Sequence, residues 1–594
     1  MPTIAEILAS PWTPALLLVG AAWITYADVI KGTWCSDDWD GVANQDGKFK
    51  RIAPPHPTAK PVPGQSAPPV PAAMSQIAGG SFWNDVLTWL RYHIGKAPNK
   101  NYLKPVDPAK PDGPKDQRQF LPHPARHHRL NITLFSGIVV MAYAFLSTIV
   151  DERIAFLATL LWIVHPVGAQ CVAWISGIGY ILAAFFMFAG LNLAVLISNT
   201  SLLQNPVYTV CLVGLYGLCQ FLAFRSQFTV IAVVAILVYL KLWPFVIIAS
   251  LIAAVGLIRT INEVVSVRSD TFKQQQMAAS TKLHPKKIVV VGKTIFFYLE
   301  LLVFPKRLGL YHVRLYHYPM PITEWEDRYF WAGAALAVGA LAGIWGAPPP
   351  MAFGLLWWGA FIVFVLNWIT VHQFVAERYV WIPAIGICLV TVALVYPVAP
   401  WLYWLLVGIA LMRTWAHLPT YFSELHFYQS NVWNHPTSEV ACGNLGVTYL
   451  RMQRGGSAQD TWIHGTTINP DYDVNWYNLS SLYKSAGMLE EARKYLLKAV
   501  SCTTCHFPKE WKAELEVTEH EIEWRKAVLA QPPDQRDLWQ KAMCEKLLAE
   551  PTLPKHLRTH FEVKLVGVTS ALAGRKVVVP VSSPVIIPEV LTPK

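Results

Sequence analysis

Three carboxylates follow the first apolar stretch of this 594-residue chain. Asp37, Asp38 and Asp40 fall within the segment Cys35-Ser-Asp-Asp-Trp-Asp. Like charges this close together raise the pKa of some members unless a cation or hydrogen bonds compensate. Such a cluster suits a general base or a divalent-metal site, and a solvated acidic turn is the structural alternative.

A second group with reactive residue types is Cys502-Thr-Thr-Cys505-His506. The Cys-x-x-Cys-His pattern is typical of covalent c-type haem attachment, in which two thioethers hold the porphyrin and the histidine ligates the iron. Candidates for a distal ligand follow it in the chain and are His520, Met543 and His560. Three alternatives stay open: a local disulfide, two plain thiols at the end of a repeat, or part of a zinc site with His520.

Charged and polar residues also stand at the ends of apolar blocks, where such residues are functional candidates. The segment 165–174 joins two blocks and carries a histidine and a tryptophan, which are also common interfacial anchors. Glu377 and Arg378 stand side by side at another boundary. Their pattern predicts either a simple ion pair or an arginine that binds a phosphate, and Arg225 has the same two interpretations.

The elements that must position these residues are mostly apolar. Hydrophobic residues make up 53% of the chain and charged residues 15%, and the mean hydropathy is +0.33. A soluble domain carries about a quarter charged residues, so the composition excludes a simple cytosolic globular protein and a disordered chain. The net charge of +11 suggests anionic partners, and in a membrane protein lipid phosphates come before nucleic acid. Nine cysteines are too few for a disulfide scaffold of this length.

The apolar blocks predict an all-α, polytopic membrane protein with about eleven transmembrane helices. The first block, 14–29, lacks the features of a cleaved signal peptide, and we interpret it as a retained span. The other blocks are 131–150, 154–164, 172–197, 207–224, 228–243, 244–258, 331–345, 351–370, 381–395 and 401–412. A long polar segment, 32–130, separates the first two blocks, and its Pro-rich middle predicts an extended chain.

Beyond residue 419 the composition becomes that of a soluble domain, and two segments repeat with a period of 34 residues. Leu445 recurs as Leu479, and Ala458 recurs as Ala492. This period and pattern predict a short tetratricopeptide (TPR) helical solenoid, in which small residues let paired helices approach closely. We expect these residues to pack rather than react, and the function they indicate is binding of a peptide or a partner protein.

Taken together, the motifs resemble those of the transmembrane and tetratricopeptide-repeat O-mannosyltransferases, a family in the GT-C class of glycosyltransferases. The matching positions are Asp37-Asp38, His128-Arg-Leu-Asn131, His165-Pro…Ala173-Trp174-Ile-Ser-Gly177, Tyr298-Leu-Glu-Leu-Leu-Val-Phe-Pro305, Asn367 with Val375-Ala-Glu-Arg378-Tyr-Val-Trp-Ile-Pro383-Ala-Ile-Gly386, and Asn444-Leu-Gly446. The resemblance covers residues 23–500, and its most specific part is the Val-Ala-Glu-Arg block.

For an active protein, the resemblance implies inverting transfer of a sugar from a polyprenyl-phosphate carrier to an external protein acceptor that the repeats bind. Asp37 or Asp38 would deprotonate the acceptor hydroxyl, and Arg378 would stabilise the departing phosphate with His165 or Arg225. The residues expected to bind substrate are His128, His165, Gln170, Trp174, Arg225, Glu377 and Arg378. The residues expected to bind a divalent metal are Asp37, Asp38 and Asp40.

The chain departs from the family at charged positions. Gln170 stands where the family has Glu, Gly168 replaces a second His, and Ser226-Gln227 replaces a Lys-Glu pair. An amide keeps the shape of a carboxylate but removes its charge, so these changes are expected in a catalytically silent relative. The alternative function is therefore a silent GT-C/TPR scaffold subunit of a larger membrane complex, with haem c at Cys502-x-x-Cys505-His506.

The predicted organisation is a GT-C-like transmembrane domain over 1–419, repeats over 420–507, and a helical extension with an extended tail over 508–594. Predicted partners are membrane lipids and a protein or peptide, with no nucleic acid. The family layout places the long first loop and the repeats in the periplasm at a bacterial inner membrane, or in the lumen at an endoplasmic reticulum membrane. The basic loops on that side run against the positive-inside tendency.

Overall fold

The computed structural model describes residues 12–33, 35, 96–98, 120–122, 124–199, 206–226, 229–266, 287–310, 312, 316–317, 320–321, 328–366, 375–503, 505 and 507–572. Several residues singled out by the sequence lie outside these ranges: Asp37, Asp38, Asp40, Gln227 and His506. Arg225 lies in a described helix, and its side chain lies outside the description.

Helices dominate the described part of the chain. They are α1 (Thr13–Tyr26), α2 (Pro124–Ser147), α3 (Glu152–Val164), α4 (Ala169–Val172), α5 (Ile178–Asn199), α6 (Pro206–Ser226), α7 (Thr229–Tyr239), α8 (Trp243–Ser266), α9 (Lys287–Val303), α10 (Arg328–Gly346), α11 (Pro349–Ile362), α12 (Glu377–Val380), α13 (Ala384–Val395), α14 (Pro400–His417), α15 (Glu424–Asn434), α16 (Glu439–Arg451), α17 (Gly455–Ile468), α18 (Asp473–Ser485), α19 (Leu489–Ser501), α20 (Pro508–Leu529), α21 (Arg536–Leu548) and α22 (Lys555–Leu572).

Short 3-10 turns and four very short strands complete the described elements. The turns are Ala27–Lys31, Pro166–Gly168, Ile175–Gly177, Val363–Val365 and Leu418–Tyr421. The strands are β1 (Lys96–Pro98), β2 (Phe120–Pro122), β3 (Tyr316–His317) and β4 (Met320–Pro321), and they form two separate two-stranded sheets, β1 with β2 and β3 with β4. The predicted all-helical character is therefore confirmed in its coarse form.

Four helical segments among the described residues are long and apolar enough to cross a membrane. They are Thr13–Lys31, Pro124–Ser147, Ile175–Asn199 and Arg328–Gly346. A fifth candidate is the pair Glu152–Val164 and Pro166–Val172, which is bent by 58°. The bend falls at Pro166, because the residue before a proline avoids the helical conformation. Shorter apolar helices are Val207–Ala223, Trp243–Val255, Pro349–Val365 and Ala384–Val395.

The described chain divides into two compact units. The first contains the described residues up to His435 except His317, and the second contains His317 and the residues from Pro436 onward. In the first unit, aromatic side chains fill the space between α2, α3 and the turn that follows α12. Trp162 stacks on Trp381 with ring centroids 5.4 Å apart, and Phe135 packs edge-on against Trp162. The indole of Trp162 also donates to the Trp381 carbonyl, whereas the buried Nε1 of Trp381 has no hydrogen-bond partner among the described residues.

Glycine permits one especially close helix contact in this unit. A Cβ added at Gly333 on α10 would overlap the backbone of Gly292 on α9. Small residues of this kind let apolar helices approach backbone to backbone, where van der Waals packing replaces the missing hydrophobic driving force.

The second unit contains two helical hairpins that recur with the period seen in the sequence, followed by α20, α21 and α22. The helix beginning at Glu439 has its counterpart at Asp473, and the helix beginning at Gly455 has its counterpart at Leu489. Leu479, Ala458 and Ala492 are fully buried. These residues pack, as their spacing predicted.

Candidate functional site

The segment between α3 and α5 brings several predicted residues into one buried region. His165 ends α3, and its Nε2 donates to the Leu302 carbonyl at 2.7 Å. The Val167 N–H donates to the other ring nitrogen, Nδ1, at 3.4 Å. This arrangement requires the neutral tautomer with its proton on Nε2. Both nitrogens are thereby engaged, so His165 acts here as a structural residue that joins this segment to α9.

The predicted His-x-x-Asn motif on α2 holds the far end of the same segment. The Asn131 amide donates to the carbonyls of Val172 and Trp174 at 3.4 and 3.2 Å. His128 is buried next to Gly32, because a Cβ added at Gly32 would lie 3.2 Å from the His128 Nε2. The Trp174 indole donates to the Cys35 carbonyl at 3.4 Å. The segment that carries Gln170 is thus fixed at both ends.

Gly168 lies in close contact with Tyr26, so a larger side chain at this position would require displacement. A Cβ at this position would lie 2.5 Å from the Tyr26 hydroxyl oxygen and 3.5 Å from the Trp381 indole nitrogen. Side-chain atoms do not approach each other that closely without displacement. The volume that a histidine would need is occupied by Tyr26.

Glu377 has no solvent exposure and serves as an anchor for the chain that follows α9. The Gly309 N–H donates to its Oε1, and the imidazole Nε2 atoms of His312 and His417 lie 3.6 and 3.7 Å from its two oxygens. Asn431 assists, because its Oδ1 accepts from the Leu310 N–H at 2.5 Å.

The electrostatics of Glu377 follow from these neighbours. Burial raises the pKa of its carboxyl, but the interactions with His312 and His417 outweigh burial and bring the pKa to about 2. Glu377 is therefore ionised throughout the physiological range. A permanently ionised carboxylate that already accepts a backbone hydrogen bond is suited to structural support rather than to proton transfer.

Arg378 points into a different environment from Glu377. Its Nε donates to the Tyr180 hydroxyl at 2.9 Å, and its guanidinium carbon lies 4.9 Å from the ring centroid of Tyr379. Gln170 Oε1 accepts from the Arg378 backbone N–H at 2.8 Å. The side chain is 8% exposed, and its Nη1 has no hydrogen-bond partner among the described residues. The predicted Glu377–Arg378 ion pair is absent from the described contacts, and the phosphate interpretation of Arg378 stays open.

The Cys-x-x-Cys segment lies between α19 and α20 and is held by two aspartates. Cys502 Sγ donates to the Lys498 carbonyl at 3.3 Å, Cys505 donates to Asp473, and the Thr503 N–H donates to Asp471 at 2.6 Å. Burial, and then the nearby carboxylates, raise the pKa of both thiols to about 12. A thioether sulfur would lose the donor role that each sulfur has here. The described contacts are those of two thiols, and the haem prediction stays a prediction because His506 lies outside the described residues.

Among the described ranges, no group of three or more His, Cys, Asp and Glu side chains is placed to hold a metal ion. The predicted Asp37–Asp40 metal site is not part of those ranges.

The sequence did not identify His312, His417, Asn431 and Tyr180 as parts of this region. Their partners lie far along the chain: 68 positions separate Gly309 from Glu377, and 198 separate Tyr180 from Arg378. No local spacing signals such contacts.

Comparison of the chain with models of protein families, with curated proteins and with solved structures finds no match.

Proposed function

We propose that this chain is a membrane glycosyltransferase-like protein that transfers a sugar from a polyprenyl-phosphate carrier to an external protein acceptor. The observation that carries the proposal is Arg378, a buried guanidinium that makes no ion pair with any described carboxylate. A buried cation without a counter-ion is costly, so the arrangement favours an anionic ligand. A lipid phosphate is the anion that an integral membrane protein meets most readily.

The architecture supports a site of this kind. The Arg378 guanidinium is held by Tyr180 and Tyr379, and the neighbouring segment is fixed at both ends by His165 and Asn131. Pre-positioned donors stabilise charge that develops on a leaving group without further reorganisation. In the proposed reaction, the acceptor hydroxyl oxygen attacks the anomeric carbon, the bond to the phosphate oxygen breaks, and Arg378 stabilises the departing phosphate.

Asp37 or Asp38 accepts the hydroxyl proton in this proposal. They follow Cys35 by two and three positions, and Cys35 is buried with its carbonyl accepting from Trp174. The proposal includes a GT-C-like arrangement of about eleven transmembrane spans. The four candidate spans and one bent pair among the described residues would be part of that set. It places the first loop and the repeats outside the cytoplasm, in the periplasm or the endoplasmic reticulum lumen.

The helical hairpins of the second unit are proposed to form a TPR solenoid that binds the acceptor. The 34-residue recurrence of helix starts supports this assignment. Binding there supplies proximity between acceptor and carrier rather than chemistry.

A second candidate function is a silent scaffold subunit, and one specific observation favours it. Gln170 stands in place of a carboxylate and uses its amide oxygen on the Arg378 backbone, while Gly168 leaves no room for a histidine. This region therefore lacks two of the groups that the resembled family carries. In this case the repeats bind a partner of the complex, and haem at Cys502 and Cys505 is an additional property of the scaffold.

The two candidate functions can be distinguished by the mass of the proteins that co-purify with this chain from its native membrane. We expect the wild type to give hexose-sized mass increments on a co-purifying protein, and the double variant Asp37→Asn/Asp38→Asn to remove them. Asp28→Asn is the matched control, because Asp28 is an exposed carboxylate paired with Lys31 at the end of the same span. Unchanged increments in the double variant would overturn the transferase and leave the scaffold.

The same purified protein tests whether haem is attached to Cys502 and Cys505. An intact mass raised by one haem together with a Soret band, both lost in Cys505→Ser, would assign the protein to the haem-bearing scaffold. Protein expressed in a host competent for haem c maturation that has neither signal would exclude haem attachment.

A further inference from the structure

Two buried nitrogen donors without described partners belong to two residues of the first unit that are hydrogen-bonded to each other. Arg378 Nη1 and Gln170 Nε2 are both buried, and neither donates a hydrogen bond to any atom of the described chain. Gln170 is 1% exposed and Arg378 is 8% exposed. The two residues are joined directly, because Gln170 Oε1 accepts from the Arg378 N–H.

The orientation of the Gln170 amide follows from that bond. A backbone N–H can only donate, so the side-chain atom that faces it must be the oxygen. The amide NH₂ group therefore faces away from the Arg378 backbone. It is held there, since turning the amide over would set two donors against each other.

The Arg378 guanidinium is equally constrained. Its Nε is used by Tyr180, and the rings of Tyr180 and Tyr379 lie with centroids 5.8 and 4.9 Å from its central carbon. These contacts leave Nη1 as a buried donor without a described partner, which an anionic ligand would satisfy. A planar cation with one open edge binds an oxyanion in a defined direction.

Residue 170 determines the charge of this pair. A glutamate in the same conformation would keep the bond to the Arg378 N–H but would place a carboxylate oxygen where the NH₂ group now is. That oxygen would bring a negative charge to this residue pair and repel an anion bound by the guanidinium. With glutamine, the pair has one full positive charge and a neutral donor, and among the described residues Glu377 pairs with His312 and His417 rather than with Arg378.

We propose that Gln170 is a specificity-determining residue that makes this site prefer a doubly charged phosphate monoester over a singly charged phosphodiester. The inference rests on the proposed role of Arg378 in binding the carrier phosphate. The sugar-loaded carrier is a phosphodiester with one negative charge, and the released carrier is a monoester with two. Gln170 therefore favours the leaving group, which gains charge as the bond to the sugar breaks.

The test measures binding of three amphiphiles to the full-length protein in detergent at pH 8. They are an isoprenyl monophosphate, its monomethyl phosphodiester and the uncharged isoprenol. For the wild type we expect roughly tenfold tighter binding of the monoester than of the diester, and no saturable binding of the alcohol, since one charge-assisted bond is worth about a factor of ten. Competition by inorganic phosphate distinguishes a site for the phosphate alone from one that also requires the lipid.

Two variants at position 170 test the proposal. Gln170→Glu is expected to weaken monoester binding at least roughly tenfold and to abolish the preference over the diester. Gln170→Met, which removes the donor without adding charge, is expected to reduce monoester binding by about threefold to tenfold and to halve or lose the preference. Equal affinities in wild type, Gln170→Glu and Gln170→Met would overturn the inference.

One further variant, Arg378→Gln, makes the outcomes distinguishable. Arg378→Gln with unchanged monoester binding would overturn the proposed phosphate site itself. Loss of binding in Arg378→Gln, together with unchanged preference in both position-170 variants, would retain that site and reject the role of Gln170.

Gln220→Met is the matched control. It removes another fully buried amide, which packs against Gly190, about ten helical residues or 15 Å along α5 from Tyr180. It should leave all three affinities unchanged. Elution profile and thermal unfolding confirm that each variant is folded, and Gln170→Met keeps the test decisive if Gln170→Glu does not fold.

Discussion

Glu377 and Arg378 are neighbours in the chain, yet their side chains lie in opposite electrostatic surroundings. Glu377 is surrounded by a backbone N–H and two imidazoles and fixes the chain that follows α9. Arg378 is surrounded by aromatic rings and by Gln170, and it retains a buried donor without a described partner. The difference teaches that adjacent charges in a boundary motif need not serve each other. One stabilises the fold, and the other is available to a ligand.

The largest expected effect is a difference in the free energy of unfolding between variants of Glu377 and variants of Arg378. Glu377→Ala leaves the Gly309 N–H and two imidazoles without their common partner, and we expect it to lower the free energy of unfolding by about 3–5 kcal/mol. Arg378→Gln removes a cation that has no described counter-ion, so we expect a change within about 1 kcal/mol. Denaturant unfolding in detergent measures both. Equal losses in the two variants would break the comparison.

Lowering the pH is expected to remove the stabilisation that ionised Glu377 provides. Its pKa of about 2 in the folded protein lies below its ordinary value of 4.5, so its stabilisation is fully present above pH 4.5 and is lost as the pH falls toward 2. A shift of this size corresponds to about 3 kcal/mol. We expect the unfolding free energy of Glu377→Gln to fall less steeply over this pH range than that of the wild type.

Two variants serve as controls for the acid response. Arg378→Gln should keep the wild-type slope, because its guanidinium does not titrate in this range. Glu521→Gln, in the second unit, should remove a different part of the acid-dependent loss of stability, because Glu521 is a separate ionised carboxylate. Burial raises the pKa of Glu521, but His560 and Lys564 outweigh burial and lower it to about 2. Parallel curves for wild type and Glu377→Gln would contradict the assignment.

The smallest expected effect is on thermal stability and compares two glycines, Gly309 near Glu377 and Gly179 near Arg378. A Cβ at Gly309 would lie 2.8 Å from Asn431 Oδ1, beside the backbone that Glu377 holds, so Gly309→Ala should cost about 1–3 kcal/mol. A Cβ at Gly179, next to Tyr180, meets no described atom within 4 Å, and Gly179→Ala in α5 should be neutral or stabilising by up to about 1 kcal/mol. Thermal unfolding checks the pair, and a destabilising Gly179→Ala would show that the Arg378 side is packed as tightly as the other.

Much of the secondary structure was predictable from local spacing. The apolar blocks became helices, and the 34-residue period became a recurrence of helix starts at Glu439 and Asp473. Residues that cap helices acted locally too, as when the Ser438 side chain accepts from the Ala441 N–H. In the candidate site, the sequence selected His165, Gln170, Trp174, Glu377 and Arg378, and it kept the ion-pair and phosphate interpretations of Arg378 open.

The sequence by itself determined most of the helical segments, although not α9 (Lys287–Val303), because helix periodicity, proline breaks and caps depend on residues a few positions apart. It also determined which polar residues occur at segment boundaries. Only the tertiary structure decided the partners of those residues. Gln170 meets Arg378 across 208 positions, and Trp162 meets Trp381 across 219. Burial removes water as an alternative partner, so the state of each polar atom depends on which distant helix packs against it, and a one-dimensional pattern does not contain that choice.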